Sequence, residues 1–231
     1  MENTLQAILD DFVLTYPGKG QAAFLTMTVP THNPTRDNSK FRLSDAGKCR
    51  LMRYYKRQGT KAEPLSPDIL LQMQVGHLIH AWIETAAYHI GCLIASEEEL
   101  EDEHRVGHFD LILQRATDSK RILYDVKTIS SRKAYFMEKN GEKAAPQNIA
   151  QVLSYHGLLR KPVDEVRLAY ITRDTMAIRE VCIWPEDHEQ RVTKDWEILI
   201  DDWEHEREPK ANPEHWECRY CPYASGCPSV V

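Results

Sequence analysis

Apolar and polar positions along the chain divide it into short segments of alternating type. Residues 4–15 place apolar groups between acidic ones at helical spacing and predict a short amphipathic helix. Residues 16–42, with Pro17, Gly18, Gly20, Pro30 and Pro34, read as irregular. Ser44 has the chemistry of an N-cap for a helix through about Arg57, carrying Cys49, Arg50, Arg53, Tyr54 and Tyr55. Ser66-Pro67-Asp68 is a stronger start signal: a capping hydroxyl, a proline at the first helical position, then an acid in the first turn. That helix is predicted to run to about Ile90 and stop at Gly91. Strands are predicted near 92–96, 104–114, 121–128, 165–172 and 177–184, and helices near 131–139, 146–160 and 186–206. The acidic run Glu97 to Glu103 reads as a solvated loop before the second strand. The order of these elements predicts the α/β class.

At 231 residues and 42% apolar content the chain can bury a full core, as one domain with appended elements. No apolar run has the length of a membrane span, and the N-terminus lacks the basic region of a secretory signal, so a soluble, cytoplasmic protein is expected. Six cysteines in a reducing compartment argue for metal ligation where they are closely spaced. Cys92 and Cys182 stand alone in apolar surroundings and read as buried structural thiols. The net charge of −6 conceals a division along the chain. Arg36 to Lys61 holds nine Lys/Arg against two Asp/Glu, whereas Pro185 to Glu208 holds three against ten. The basic stretch suggests phosphate contact, with Tyr54 and Tyr55 available to stack on bases; the alternative is the solvated side of a helix.

The chemistry concentrates in a predicted hairpin. Asp125 and Lys127 are two apart in one strand and project from one face, and Asp110 on the neighbouring strand can sit beside Asp125. Two carboxylates that close repel unless a divalent cation lies between them, although Lys127 neutralising Asp125 in an ordinary hairpin is the plainer alternative. On the preceding helix Gly76, His80 and Glu84 recur every four residues and share a face, which makes His80 a candidate ligand. Gly76 is about 1 kcal/mol worse than alanine in a helix and suggests close approach by another segment or a substrate. His77 and His89 fall on other faces. Gln147, Gln151 and Tyr155 form a polar stripe that can face the same cleft. Cys218, Cys221 and Cys227 follow a C-x2-C-x5-C spacing near the C-terminus.

Taken in order, G-x-x-x-H (Gly76 to His80), G-x-x-D (Gly107 to Asp110), D-V-K-T (Asp125 to Thr128) and Q-x-x-x-Y (Gln151 to Tyr155) resemble the RecB-like branch of the PD-(D/E)xK nuclease superfamily. The lone Cys49 in Ser-Asp-Ala-Gly-Lys-Cys-Arg-Leu, with the C-terminal cysteines, is similar to the iron-sulfur nucleases of that branch: CRISPR-associated exonucleases, their phage relatives and AddB-type subunits. The resemblance covers about residues 41–228 and implies a restriction-endonuclease-like mixed sheet flanked by helices, with a cysteine-cluster tail. It divides the chain into an N-terminal segment (1–43), a nuclease core (44–208) and a tail (209–231). It further implies His80, Asp110, Asp125 and the Val126 carbonyl as ligands of Mg2+ or Mn2+, with Lys127 orienting or activating the hydrolytic water and Gln151 and Tyr155 positioning the substrate. Cys49, Cys218, Cys221 and Cys227 would hold a 4Fe-4S cluster, although four cysteines suit zinc equally on count. The expected activity is a metal-dependent DNA exonuclease on single strands or duplex ends, with recombination, repair or CRISPR adaptation proteins as possible partners. A non-catalytic DNA-binding or assembly subunit is the alternative.

Overall fold

The computed structural model of the chain describes residues 4–15, 39–141 and 144–228. Its helices are α1 (Thr4–Thr15), α2 (Arg50–Gln58), α3 (Pro67–Ile90), α4 (Ser131–Lys139), α5 (Pro146–Leu158) and α6 (Glu189–Glu204). Its strands are β1 (Phe41–Arg42), β2 (Leu93–Ser96), β3 (Glu99–Glu101), β4 (Arg105–His108), β5 (Leu111–Gln114), β6 (Arg121–Ile129), β7 (Glu165–Thr172) and β8 (Ile178–Ile183). The start and stop of α3 follow the local signals: the Ser66 hydroxyl accepts from the Ile69 N–H, and Gly91 closes the helix in the left-handed conformation. The basic region of residues 39–61 begins differently from its sequence reading. Leu43–Asp45 form one 3-10 turn, Gly47 follows at φ +72°, and the helix starts only after Cys49, not at Ser44. Of the expected irregular segment 16–42, residues 16–38 lie outside the described ones.

The central sheet has the order β2-β5-β6-β7-β8, with β6 and β7 parallel and the other neighbours antiparallel. It is therefore the mixed sheet expected, and helices cover both faces. Strand alternation sorts the residues of β6: Ile122, Tyr124 and Val126 pack with α1 and α3, while Leu123 belongs to the core that includes Ile149, Val152 and Leu153 of α5 and Trp196 of α6. Asp125 and Lys127 lie on the Leu123 face. α1 is tied in by packing on α3 and by the Leu5 N–H, which donates to Glu180 at 2.5 Å.

A second, smaller sheet of order β1-β4-β3 corrects two expectations. The acidic run is not all loop, because Glu99–Glu101 pairs antiparallel with β4. The strand expected at 104–114 is split at Phe109-Asp110, where the chain leaves one sheet and enters the other. The carbonyls freed at this crossing, of Phe109 and Asp110, accept from the Glu97 N–H at 3.1 and 3.2 Å. Gly107 is required by packing, since a Cβ there would sit 2.8 Å from the Cβ of Leu43.

The uneven charge along the chain resolves into internal pairing rather than a phosphate-binding face on α2. Arg53 is 2% exposed and pairs with Asp195 of α6, and Arg50 approaches the same carboxylate at 3.7 Å. Arg57 lies over the rings of Trp203 and Phe41, 4.2 and 4.4 Å from their centroids. Tyr54 is buried against Trp203 and offers no face for base stacking, and Tyr55 is half-buried with edge contacts to Tyr54 and Tyr223. The basic α2 thus answers the acidic α6. Arg36 lies outside the described residues. Cys92 and Cys182, expected to be buried, are half-buried.

Asp45 fastens the turn that leads into α2. Burial would raise its carboxyl, but Lys48 and Lys56 outweigh that and hold it down at about 2. Because the folded value lies below the ordinary one near 3.8, the stabilisation is present above pH 4 and is lost as pH falls toward 2; it amounts to about 2 kcal/mol. Asp45→Asn should therefore lower the urea midpoint at neutral pH, and the gap to the parent should close on acidification. A gap that persists at pH 2 would exclude the ion pairs as its source.

Candidate metal centre

Three elements bring the polar groups of the centre together. α3 supplies His80, the crossing between β4 and β5 supplies Asp110, and β6 supplies Asp125, Val126 and Lys127. The β5–β6 register pairs Leu111 with Tyr124, so the next position sets Asp110 opposite Asp125. α3 can lie close to β6 because residue 76 is glycine: a Cβ there would meet Thr128 Oγ1 at 3.2 Å. Of the two explanations for that glycine, close approach by another segment is the one the fold displays.

The contacts form one network. Asp110 Oδ2 accepts the Val126 N–H at 2.6 Å, and its Oδ1 lies 3.8 Å from His80 Nδ1. The Val126 backbone lies beside the His80 ring and, with Asp125, opposes the lowering of its pKa. Lys127 Nζ lies 2.9 Å from each oxygen of Asp125 and donates to Gln151 Oε1 at 3.0 Å. Gln151 Nε2 in turn donates to the Tyr155 hydroxyl at 2.8 Å. The stripe expected on α5 does face this cleft at Gln151. Tyr155, only 2% exposed, lies beneath it and touches Gln151 rather than open space. His77 and His89 are exposed, as their helical positions predict.

The electrostatics show a centre short of positive charge. Burial pushes the Asp125 carboxyl up; Lys127 opposes this and Asp110 adds to it. Asp110 is likewise raised by burial, against Lys127 and the Val126 N–H. Burial would lower Lys127, but Asp125 and Asp110 outweigh it and hold the ammonium charged. Burial, aided by Lys127, lowers His80, leaving a neutral imidazole suited to ligation. Asp125 is fully buried, and although Lys127 is near both its oxygens, Oδ2 accepts no hydrogen bond of proper direction. An orphaned, fully buried carboxylate oxygen beside a second carboxylate fits a divalent cation.

Glu97 also belongs to this centre, which its sequence reading as a solvated loop residue missed. Among the described residues, His80, Glu97 and Asp110 form the one group of three or more that brings ligand atoms within 4.8 Å of one another. Together with Glu84, Leu111 and Val126 they line a cavity of about 10 Å³, the room of a single water or ion. Burial of its carboxyl end, with Asp110 and Glu84 nearby, raises Glu97 to about 7 although much of the residue is exposed. The acidic composition around it carried no sequence signal, because its placement depends on the crossing at Asp110.

The four cysteines Cys49, Cys218, Cys221 and Cys227 line a separate cleft of about 720 Å³ between α2 and the tail. Burial raises the Cys221 thiol, and Cys49, Cys227 and Cys218 raise it further. The tail has polar anchors of its own, which its composition did not suggest. Asn212 Oδ1 accepts the Arg50 N–H at 2.7 Å and Glu217 Oε1 accepts the Cys49 N–H at 3.2 Å, capping α2 from a distance. Among the described residues no helix is long and apolar enough to cross a membrane.

No curated protein matches the chain in sequence. Among solved structures, it is similar to the one titled "Crystal structure of SSO0001", at 18% identity and a TM-score of 0.55 over 99% of this chain and 95% of that one, a likeness of fold. The family model of the PD-(D/E)XK nuclease superfamily matches residues 93–228, which span Asp110, Asp125, Lys127, Gln151 and the tail cysteines. With that match over more than half its length, and the mixed sheet that carries the paired acids and lysine, the chain belongs to the PD-(D/E)XK nuclease superfamily.

Proposed function

We propose that the protein is a divalent-metal-dependent DNA exonuclease, acting on single strands or duplex ends in recombination, repair or CRISPR adaptation, with proteins of those processes as possible partners and the cytoplasm as its location. The observation that carries the catalytic reading is the fully buried Asp125, with an oxygen that accepts no hydrogen bond, set beside the half-buried Asp110 and one lysine. His80, Asp110, Asp125 and the Val126 carbonyl would hold Mg2+ or Mn2+. When bound, the cation supplies Lewis acidity at a phosphoryl oxygen and lowers the pKa of water. Lys127, charged and aimed by Asp125 and Gln151, is set to orient the attacking water and offset charge on the scissile phosphate. Tyr155 acts through Gln151, whose amide it holds. A non-catalytic binding subunit would have no need of a buried carboxylate with a second one set beside it.

With α2 committed to α6, an exposed surface near the centre that suits nucleic acid is α4. It starts four residues after Lys127 and reaches Phe136 at most about 20 Å from it. Tyr135 and Phe136 are exposed with their rings 5.7 Å apart, Arg132 lies 5.7 Å from the Phe136 ring, and Lys133 and Lys139 are exposed. Aromatic faces among cations suit stacked bases and phosphates.

For the cysteines we favour a 4Fe-4S cluster over zinc. Cys49, Cys218, Cys221 and Cys227 line one cleft between α2 and the tail, and four thiolates brought together from the two ends of the core suit a cluster that joins α2 to the tail.

End-labelled single- and double-stranded DNA should be degraded with Mn2+ or Mg2+ and left intact with chelator. Asp110→Ala and Lys127→Ala should each reduce cleavage by at least about 10²-fold without loss of fold. Wild-type cleavage by both variants would overturn the active-site reading, and tight DNA binding with no cleavage in any divalent metal would favour the non-catalytic one. Tyr135→Ala combined with Phe136→Ala should weaken single-strand binding by about 1–3 kcal/mol for each stacked base lost; unchanged affinity would remove α4 from the path. Anaerobically purified protein should be brown with about four irons per chain, and Cys221→Ala should bleach it and expose the tail to proteolysis. Colourless protein with one zinc would contradict the cluster.

A further inference from the structure

Glu97 takes no part in the ligand set named above, yet its surroundings single it out within its own acidic run. Glu98 pairs with Lys161 at 2.6 Å, Glu99 with His108 at 3.6 Å, Glu101 with Lys40 at 2.9 Å and Asp102 with Arg105 at 2.5 Å. Among the described residues no donor or cation reaches the carboxylate of Glu97. It faces Asp110 and Glu84 instead, and the Glu84 carboxylate already accepts the Ser96 hydroxyl. The backbone holds Glu97 in this position: its φ is +49°, uncommon for a residue with a Cβ, and its N–H bridges the carbonyls of Phe109 and Asp110.

We propose that Glu97 is a ligand of the divalent cation, closing the side of the centre opposite β6. The inference rests on the cation reading of the previous section. Cations of the magnesium type keep oxygen ligands at about 2.0–2.1 Å, so ligand atoms on opposite sides are about 4.2 Å apart. His80, Glu97 and Asp110 offer one atom each within a 4.8 Å span around an ion-sized cavity, and a small side-chain movement closes the difference. Glu97 is the exposed member of the three, free to make that movement, whereas Asp110 is held by the Val126 N–H. Asp125 Oδ2, nearby, is a separate observation: it is fully buried and accepts no hydrogen bond, although the Lys127 ammonium lies 2.9 Å away. Three carboxylates with one neutral imidazole also favour a dication over a monovalent ion. Glu97 then adds the third carboxylate to the ligand set.

The test is Mn2+ binding to the full chain in the absence of DNA, by titration calorimetry and by the Mn2+-induced rise in melting temperature. Wild-type protein should bind, Glu97→Gln should bind at least about tenfold more weakly while its metal-free melting temperature is unchanged, and Glu98→Gln should bind as the parent does. Glu97→Asp, which keeps the charge on a shorter arm, should lie between parent and Glu97→Gln. Glu97→Gln protein that binds Mn2+ as tightly as wild type overturns this inference and leaves the cation reading standing. Failure of the wild type itself to bind Mn2+ overturns both.

Discussion

A fully buried carboxylate, Asp125, set beside a second that is only half-buried, Asp110, constrains the centre of this molecule. Asp110 and Asp125 are adjacent because the antiparallel register of β5 and β6 makes them so, and Asp125 is taken out of water by the layers of helices on either face. Burial pushes both carboxyls up, Asp110 adds to the rise at Asp125, and the protein answers with one ammonium and one backbone N–H. That leaves Asp125 Oδ2 without a hydrogen bond. A fold that only needed stability would fill the position with apolar side chains, since replacing buried ionic groups by well-packed hydrophobic ones is often neutral or stabilising. The arrangement is therefore organised to receive positive charge.

The rest of the architecture holds this arrangement in place. The chain passes from the small sheet to the large one at Phe109-Asp110, so the carboxylate sits at a break in pairing, where its Oδ2 accepts the Val126 N–H of β6. Glu97 secures that crossing by its N–H, and Gly76 lets α3 bring His80 up to β6. On the other side α5 lies over Lys127, with Gln151 between the ammonium and Tyr155. Farther out, α2 and α6 neutralise each other, and Asn212 and Glu217 cap α2 from the tail. The cysteine cleft lies at that junction, so a group bound there would strengthen a contact that the polypeptide has already begun.

The legibility of the sequence follows the range of the interactions involved. Ser66-Pro67-Asp68 and Gly91 define α3 by contacts within a turn, and both ends appear where the signals put them. The spacing of Asp125 and Lys127 fixes a shared face because a strand alternates. Ser44 failed as a cap because Gly47, in the left-handed region and in contact with α5, interrupts the helix before it can start. Arg53 is separated from Asp195 by 142 positions, and no local pattern tells a basic helix that binds phosphate from one that faces an acidic helix. Glu97 was hidden in a run of acids for the same reason, since its distinction from Glu98 lies in what each meets across the fold. Gly107 was legible as a motif glycine, but its physical reason, the Leu43 side chain against it, was not.

The central claim is that the Asp110–Asp125 pair exists to bind a dication. Anomalous diffraction from crystals grown with Mn2+ tests it most directly. The account predicts a single strong manganese peak, or two sharing Asp110, bounded by His80, Asp110 and Asp125. Clear density for the side chains with no anomalous peak between them, and Lys127 alone balancing the pair, would contradict it.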